Sequence, residues 1–146
     1  MDIICDIDGT VADCSHRLHW IRSKPKNWKA FFAGAMDDKP ILEMIVTINA
    51  LKNENRIIFC TGRSESNRNV TSDWLATYVG EWTKLCPIYM REDGDYRHDD
   101  IVKEELLVKI RKAGYEPTLA FDDRDQVVAM WRRNHIRCFQ VADGNF

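Results

Sequence analysis

The sequence lacks paired-cysteine motifs, which bears on the environment in which the protein works. Its five cysteines are an odd number, and no two of them form a Cys-x-x-Cys pair. Cys5 and Cys60 lie inside apolar runs, where a cysteine behaves as a small buried hydrophobic residue. This usage predicts a reducing, cytoplasmic setting.

Long hydrophobic runs and a strong net charge are also missing. No apolar stretch approaches the roughly 20 residues that a membrane-spanning helix needs, so we expect no membrane partner. The 21 basic and 23 acidic side chains leave a net charge of −2. Any nucleic-acid binding must therefore come from a local patch of cations. We expect no cleavable signal peptide, because Met1 and Asp2 lead directly into the first apolar run.

No internal repeat, linker or low-complexity segment divides the chain. A length of 146 residues suits one domain, because a chain of this size buries roughly 68–70% of its unfolded surface. We therefore predict a single domain over residues 1–146.

The first apolar run ends in a polar motif, Asp6-Ile7-Asp8-Gly9-Thr10. In an extended strand, residues two apart face the same side, so the two carboxylates are predicted to share a face. Gly9 permits a sharp turn, and Thr10 adds a hydroxyl. A capped turn or a solvated strand end is the alternative, but an acid that ends a buried strand is costly without a cation. The motif has the composition of a magnesium-assisted phosphoryl-transfer site.

Further apolar runs alternate with helical patterns. Strands are predicted over 56–60, 87–90, 118–121 and 136–141. One helix is predicted from Pro40 onward, one in the segment that ends before residue 80, and two more over 99–112 and 124–133. This alternation predicts an α/β fold, a parallel sheet with helices on both faces. A ligand should lie at the carboxyl ends of the strands, where the polar motifs after strands one, two and four fall.

Residues 14–39 are too long for a plain connection, since connections beyond about 12–15 residues are usually lids or binding loops. Trp28, Phe31, Phe32 and Ala35 have helical spacing. We predict that this segment is a small helical cap, inserted after strand one and covering the site.

Four stretches, in this order, resemble the motifs of the haloacid dehalogenase (HAD) superfamily of phosphohydrolases. They are Asp6-Ile7-Asp8-Gly9-Thr10, Cys60-Thr61-Gly62-Arg63, Lys103 and Phe121-Asp122-Asp123. Nearly the whole chain is similar to the 3′-phosphatase domain of phage polynucleotide kinase-phosphatase, through Arg17 and residues 61–63, 99–105 and 122–133. The resemblance covers the phosphatase half alone. The resemblance implies a Rossmann-like three-layer sandwich with five parallel strands in the order 5-4-1-2-3.

The resemblance also implies roles for the acids. Asp6 would be the nucleophile that forms an aspartyl-phosphate, and Asp8 the general acid and base. A carboxylate and a phosphate dianion about 4 Å apart repel each other by roughly 8 kcal/mol at an effective dielectric constant of ~20. The resemblance implies that Mg²⁺, and Lys103 bound to the phosphate, supply the positive charge that offsets this repulsion. An ion pair with Asp99 is the alternative role of Lys103.

The metal would be held by Asp6, by the carbonyl of Asp8 and by the acids Asp122 and Asp123. Asp123 occupies the place of the family's core acid, which favours it as the direct ligand. Asp122 would then act from behind it or through a water molecule.

The substrate contacts carry alternatives. Thr61-Gly62-Arg63 is either a turn or a cradle for the phosphate oxygens. By resemblance, Arg63 and Arg17 contact the phosphate or a nucleic-acid backbone, whereas Arg17 could instead be a solvated cation. Asp99 would position Lys103 or Arg17.

The tryptophans fall into two groups. Trp74, Trp82 and Trp131 are expected in or near the core. Trp20 and Trp28 lie in the cap among Arg22, Lys24, Lys26 and Lys29, where they either stack the bases of a single strand or pack the cap.

The leading functional hypothesis is a magnesium-dependent phosphatase that removes 3′-phosphates from DNA or RNA ends, with a separate kinase or ligase as partner. One alternative is a phosphatase of free nucleotides or another small phosphoester. A non-catalytic phospho-acceptor of the response-regulator type is a different class. It is disfavoured because both acids of the attacking motif lie at strand one, and Asp8 supplies the acid that turnover needs.

Overall fold

Five parallel strands form the central sheet of the computed structural model, which describes residues 1–145. With labels in chain order, the strands are β1 Asp2–Cys5, β4 Arg56–Ser64, β5 Ile88–Arg91, β6 Pro117–Asp122 and β7 Arg137–Gln140. Their order in space is β5-β4-β1-β6-β7. Counted within this sheet alone and from the β7 edge, that is the predicted order 5-4-1-2-3. The labels differ because the chain forms two further strands between β1 and β4, β2 (Ala12–Asp13) and β3 (Lys39–Pro40), which make a small separate ribbon.

Helices cover both faces of the sheet, as predicted. Alternate residues of β1 face opposite sides, so Ile3 and Cys5 belong to one apolar cluster and Ile4 to the other. The helices α3 (Leu42–Leu51) and α4 (Arg68–Tyr78) pack on the first cluster, and α5 (Asp99–Lys112) and α6 (Asp125–Arg133) on the second. Within residues 1–145, no helix has both the length and the apolar character needed to cross a membrane.

A helical segment, here called the insertion (residues 14–38), separates the two strands of the ribbon. The strands β2 (Ala12–Asp13) and β3 (Lys39–Pro40) pair antiparallel and hold its two ends together. The insertion contains α1 (His19–Arg22) and α2 (Trp28–Ala33), flanked by 3₁₀ turns. The Asn27 side chain accepts a hydrogen bond from the Ala30 amide at the start of α2, which is a favourable cap.

Three local predictions are wrong. The strand β1 ends at Cys5, so Asp6 and Asp8 lie beyond it, in a turn where Gly9 has φ +80°. The following helix starts at Leu42 because Pro40 pairs with Ala12 in the ribbon, and Leu42 is exposed. Residues 61–63 lie inside β4, where the pairing with β5 shifts register, rather than in a turn after it.

The two faces of α3 give a direct test of the core. Replacing the fully buried Ile48 by alanine should lower the free energy of unfolding by about 2–5 kcal/mol, because it leaves a cavity against the sheet. Replacing the exposed Val46 by alanine should change it by no more than about 0.5 kcal/mol. Denaturant unfolding measures both, and equal losses in the two variants would contradict the position of α3.

Candidate active site

The sequence-predicted site residues converge at the carboxyl edge of the sheet. Asp6 and Asp8 follow β1, residues 61–63 lie near the end of β4, and of the two adjacent acids Asp122 ends β6 and Asp123 follows it. Because parallel strands end at one edge, these groups meet although they are far apart in the chain. All of them except Asp122, which is fully buried, border a cleft of about 260 Å³ between the insertion and the loop after β5.

Lys103 lies at the centre of this arrangement. Its Nζ atom is 2.8 Å from Asp6 Oδ1 and 2.9 Å from Asp122 Oδ2, and its side chain is only 1% exposed. Burial by itself lowers the pKa of Lys103, but Asp122 and Asp6 outweigh it and raise the pKa well above its ordinary value. The side chain is therefore a fixed ammonium ion that orients the Asp6 carboxylate.

Asp6, Asp122 and Asp123 form a compact group of acids. Each offers an oxygen atom, and these atoms lie within 4.8 Å of one another. Burial raises the pKa of Asp6 well above its ordinary value, and Asp122 and Asp123 add to this against the opposing effect of Lys103. Burial and the neighbouring Asp122 raise the pKa of Asp123 to about 6. A hard cation with oxygen ligands, such as Mg²⁺, fits this donor set and would relieve the repulsion.

The two adjacent acids have different surroundings. Asp122 Oδ2 accepts hydrogen bonds from Lys103 Nζ at 2.9 Å and from Trp131 Nε1 at 3.0 Å, and its Oδ1 accepts one from the Arg124 amide at 3.3 Å. These bonds occupy both oxygens of Asp122. The carboxylate of Asp123 instead lies against Gly9, where any Cβ atom would overlap it.

Asp8 is bound by two arginines. Its Oδ1 atom accepts hydrogen bonds from Arg17 Nη2 and from Arg63 Nη2, both at 2.7 Å. Burial raises the pKa of Asp8, but the ion pairs with Arg63 and Arg17 outweigh it and hold the pKa below its ordinary value. Both arginine side chains are fully buried, so the alternative that Arg17 is a solvated cation is wrong.

Asp38 is a site residue that the sequence did not indicate. Its Oδ2 atom accepts from Arg17 Nη2 at 2.6 Å and from Arg63 Nη2 at 2.8 Å, and its side chain is fully buried. It therefore holds the two arginines side by side, and it ties the end of the insertion to β4. In sequence it is one acid in a polar stretch, and it lies 21 and 25 residues from its partners, so no local spacing reveals it.

Arg91 is a second residue that the sequence did not indicate. It donates to the carbonyl oxygen of Gly62 at 2.9 Å and to Asp99 Oδ1 at 2.7 Å. Asp99 also lies 4.0 Å from Lys103 Nζ, so of its two predicted partners the structure provides Lys103. A Cβ atom at Gly62 would overlap Asp99, which explains the glycine.

The remaining groups of the site are hydroxyls. The buried Thr61 Oγ1 accepts from the Arg63 amide at 3.2 Å, and Thr61 borders the cleft together with Gly62 and Arg63. Within residues 1–145, the buried Thr10 hydroxyl has no hydrogen-bond partner. Thr61 belongs to the predicted phosphate cradle, and Thr10 belongs to the predicted phosphoryl-transfer motif.

The tryptophans separate as the sequence predicted, and the structure also distinguishes the two in the insertion. Trp74 and Trp131 are fully buried, and Trp82 is partly buried. Trp28 borders the cleft, whereas Trp20 is not among the residues of 1–145 that line it.

Comparisons with known proteins agree with this geometry. The family model described as the polynucleotide kinase PNKP phosphatase domain matches residues 1–146. One relative is a protein of Autographa californica nuclear polyhedrosis virus whose assigned name is bifunctional polynucleotide kinase/RNA ligase. It is 29% identical to this chain over 132 residues, which are 89% of this chain and 17% of the viral protein. The present chain thus matches a small part of that relative.

Solved structures give the same assignment. A chain of the Pnkp1/Rnl/Hen1 complex superposes with a TM-score of 0.82 and 31% identity, over 99% of this chain and 46% of the other. A haloacid dehalogenase-like hydrolase from Streptococcus pneumoniae superposes with a TM-score of 0.68 over 95% of this chain and 83% of its own, and at 13% identity it supports the fold alone. With the family model matching its whole length and this site in place, the chain belongs to the HAD-type family of polynucleotide kinase PNKP phosphatase domains.

Proposed function

We propose that this domain is a Mg²⁺-dependent phosphatase that removes 3′-phosphates from polynucleotide ends through an aspartyl-phosphate. Membership of a phosphatase family makes it a hydrolase of phosphoesters. The observation that carries the proposed mechanism is the position of Asp6, whose Oδ1 is held by Lys103 while the carboxylate borders the cleft. A nucleophile held by a buried cation at the base of a cleft is the arrangement that this chemistry requires.

The chain's own residues account for the two steps of the reaction. Asp6 forms a bond to phosphorus while the bond from phosphorus to the 3′-oxygen breaks, and Asp8 gives its proton to that oxygen. Water then attacks phosphorus, the bond between phosphorus and the Asp6 oxygen breaks, Asp8 takes the proton from the water, and inorganic phosphate leaves. In this structure Arg17 and Arg63 donate hydrogen bonds to Asp8. We propose that both arginines bind the phosphate group instead when substrate enters, which leaves Asp8 free to carry its proton.

Asp6, Asp123 and the backbone carbonyl of Asp8 are the proposed metal ligands. Asp123 is preferred over Asp122 because both oxygens of Asp122 already accept hydrogen bonds from the protein. When bound, Mg²⁺ supplies positive charge that allows a phosphate dianion to approach a carboxylate. Lys103, 2.8 Å from Asp6 Oδ1, supplies further positive charge.

A polynucleotide substrate is supported by the relatives and by the insertion. The viral relative is named for a polynucleotide kinase and an RNA ligase. The insertion places Lys26 and Trp28 on the cleft, so a cation and an indole are both available to a strand. We further propose that a separate kinase or ligase acts on the same ends. The small volume of the cleft favours a free nucleotide as the second candidate substrate.

Mg²⁺ should raise the melting temperature of the protein more at about pH 8 than at about pH 5. The pKa of Asp123 is about 6, above its ordinary value of 3.8, so below that pH a proton must leave before a metal binds. At a hundredfold excess over Kd, binding stabilises by about 2.7 kcal/mol, or about 5–10 °C for a domain of this size. Without added metal, the stability of the protein should instead fall as the pH rises. The contribution of Asp123 to stability is greatest below pH 3.8 and is lost as the pH rises through about 6.

The matched variants for this thermal experiment are Asp123→Asn and Asp73→Asn. The first should remove the response to Mg²⁺, and the second, an exposed acid on α4, should keep it. An equal response at the two pH values, or a full response in Asp123→Asn, would contradict the metal assignment.

A short 3′-phosphorylated oligonucleotide should exceed a nucleoside 3′-monophosphate in kcat/KM, because only the strand offers internucleotide phosphates to the cations that border the cleft, such as Lys26. The advantage should shrink with added salt, because contacts to the strand's phosphates are screened. A 5′-phosphorylated strand should be a poor substrate, since in-line attack by Asp6 requires the chain to leave in one direction. Steady-state assays across this panel measure each ratio.

Equal or better turnover of free mononucleotides, with no salt dependence, would make the small-molecule phosphatase the correct assignment. Release of no more than one phosphate per protein molecule would instead favour the phospho-acceptor.

A further inference from the structure

The cleft has two unlike walls. The wall formed by the insertion, here called the aromatic wall, consists of Leu18, Ile21, Trp28, Phe31 and Phe32. The second wall comes from the loop after β5 and the start of α5; it is mainly polar, with Arg91, Asp95, Arg97, His98 and Asp99, and includes one aromatic residue, Tyr96. A ligand with one apolar flat side and one charged side matches this asymmetry.

The aromatic wall is built as a platform. The Trp28 ring stacks on the Phe32 ring, with centroids 6.0 Å apart and planes 24° apart, and it meets the Phe31 ring edge-on at 5.9 Å. Phe31 is buried, whereas Trp28 is 36% exposed and borders the cleft. The buried ring fixes the position of the exposed one, so the indole offers a flat surface at low entropic cost.

The platform is joined directly to the reaction centre. The guanidinium of Arg17 lies 4.1 Å from the centroid of the Phe31 ring, and its Nη1 donates to the Phe31 carbonyl oxygen at 3.2 Å. The same guanidinium donates a hydrogen bond to Asp8 Oδ1. One side chain therefore fixes the distance between the aromatic wall and the acids. A 3′-phosphate and the base of its own nucleotide are linked through one sugar ring, so a phosphate at Asp6 brings that base to the walls of this cleft.

We propose that the aromatic wall binds the nucleobase of the 3′-terminal nucleotide by stacking it on Trp28. The proposal rests on the proposed polynucleotide 3′-phosphatase function and deepens it. The aromatic wall contacts only the flat face of a base, and every base has such a face. All four bases are therefore accepted, and binding does not depend on the sequence of the strand. The Lys26 ammonium, 5.5 Å from the Trp28 ring centroid, is on a flexible stem and moves from the ring to a strand phosphate.

The test compares kcat/KM for two 3′-phosphorylated oligonucleotides that differ only at the last nucleotide, which carries either a base or an abasic sugar. In the wild-type protein the abasic end should be roughly tenfold to a hundredfold worse. In Trp28→Ala the two substrates should become nearly equal, through loss of activity on the normal end. Trp20→Ala is the matched control, because Trp20 is 39% exposed, lies in the same insertion and is not among the described residues that line the cleft.

Further variants keep the result interpretable. Trp28→Phe retains a ring and should keep most of the discrimination, while circular dichroism confirms that each variant is folded. Loss of activity in Trp28→Ala by the same factor on both substrates, or loss of discrimination in Trp20→Ala, would overturn the stacking role. Wild-type activity that is equal on the two ends would overturn it as well while leaving the 3′-phosphatase function intact. If no 3′-phosphorylated strand is hydrolysed, the proposed function itself fails and the stacking proposal fails with it.

Discussion

The ammonium group of Lys103, buried between Asp6 and Asp122, is the interaction on which the site depends. Burying an ion costs several kcal/mol, and only close opposite charges and further hydrogen bonds offset that cost. Here Nζ lies 2.8 Å and 2.9 Å from the two carboxylates, and Trp131 Nε1 also donates to Asp122. With Asp123 beside them, the three acids still exceed the one cation, which leaves a site complementary to added positive charge. Burial raises the pKa of Asp6 and of Asp123, and this excess of negative charge adds to the rise.

A second charged cluster sets the shape of the cleft. Arg17 and Arg63 come from the insertion and from β4, and Asp38 holds them together from the far end of the insertion. The Trp74 indole donates to the Asp38 carbonyl oxygen at 2.9 Å, which fixes this end against α4. The insertion is thus attached to the core by buried charges at the site as well as by the ribbon at its base. The positions of these two arginines and of the aromatic wall are consequently linked.

Much of this architecture could be predicted from local patterns. The apolar run before Asp6 and the i, i+4 spacing of Asp99 and Lys103 are short-range features, and both lead to the observed placements. The spacing of Trp28, Phe31 and Phe32 likewise indicates the helix of the insertion, whereas Ala35 lies in the 3₁₀ turn that follows it. The role of Asp38 could not be predicted, because it depends on hydrogen bonds with residues 21 and 25 positions away in the chain. The helix start after Pro40 was mispredicted for a related reason, since pairing with Ala12 overrides the usual preference of proline for a first helical turn.

The central claim is that Asp6 carries the phosphoryl group during turnover. A strand labelled with radioactive phosphate at its 3′ end, mixed with the protein and Mg²⁺ and quenched rapidly in acid, tests this most directly. The account predicts transient label on the protein, located by peptide mapping to Asp6, and none in the Asp6→Asn variant. Label on a different residue, or steady phosphate release with no labelled protein at any time, would contradict it.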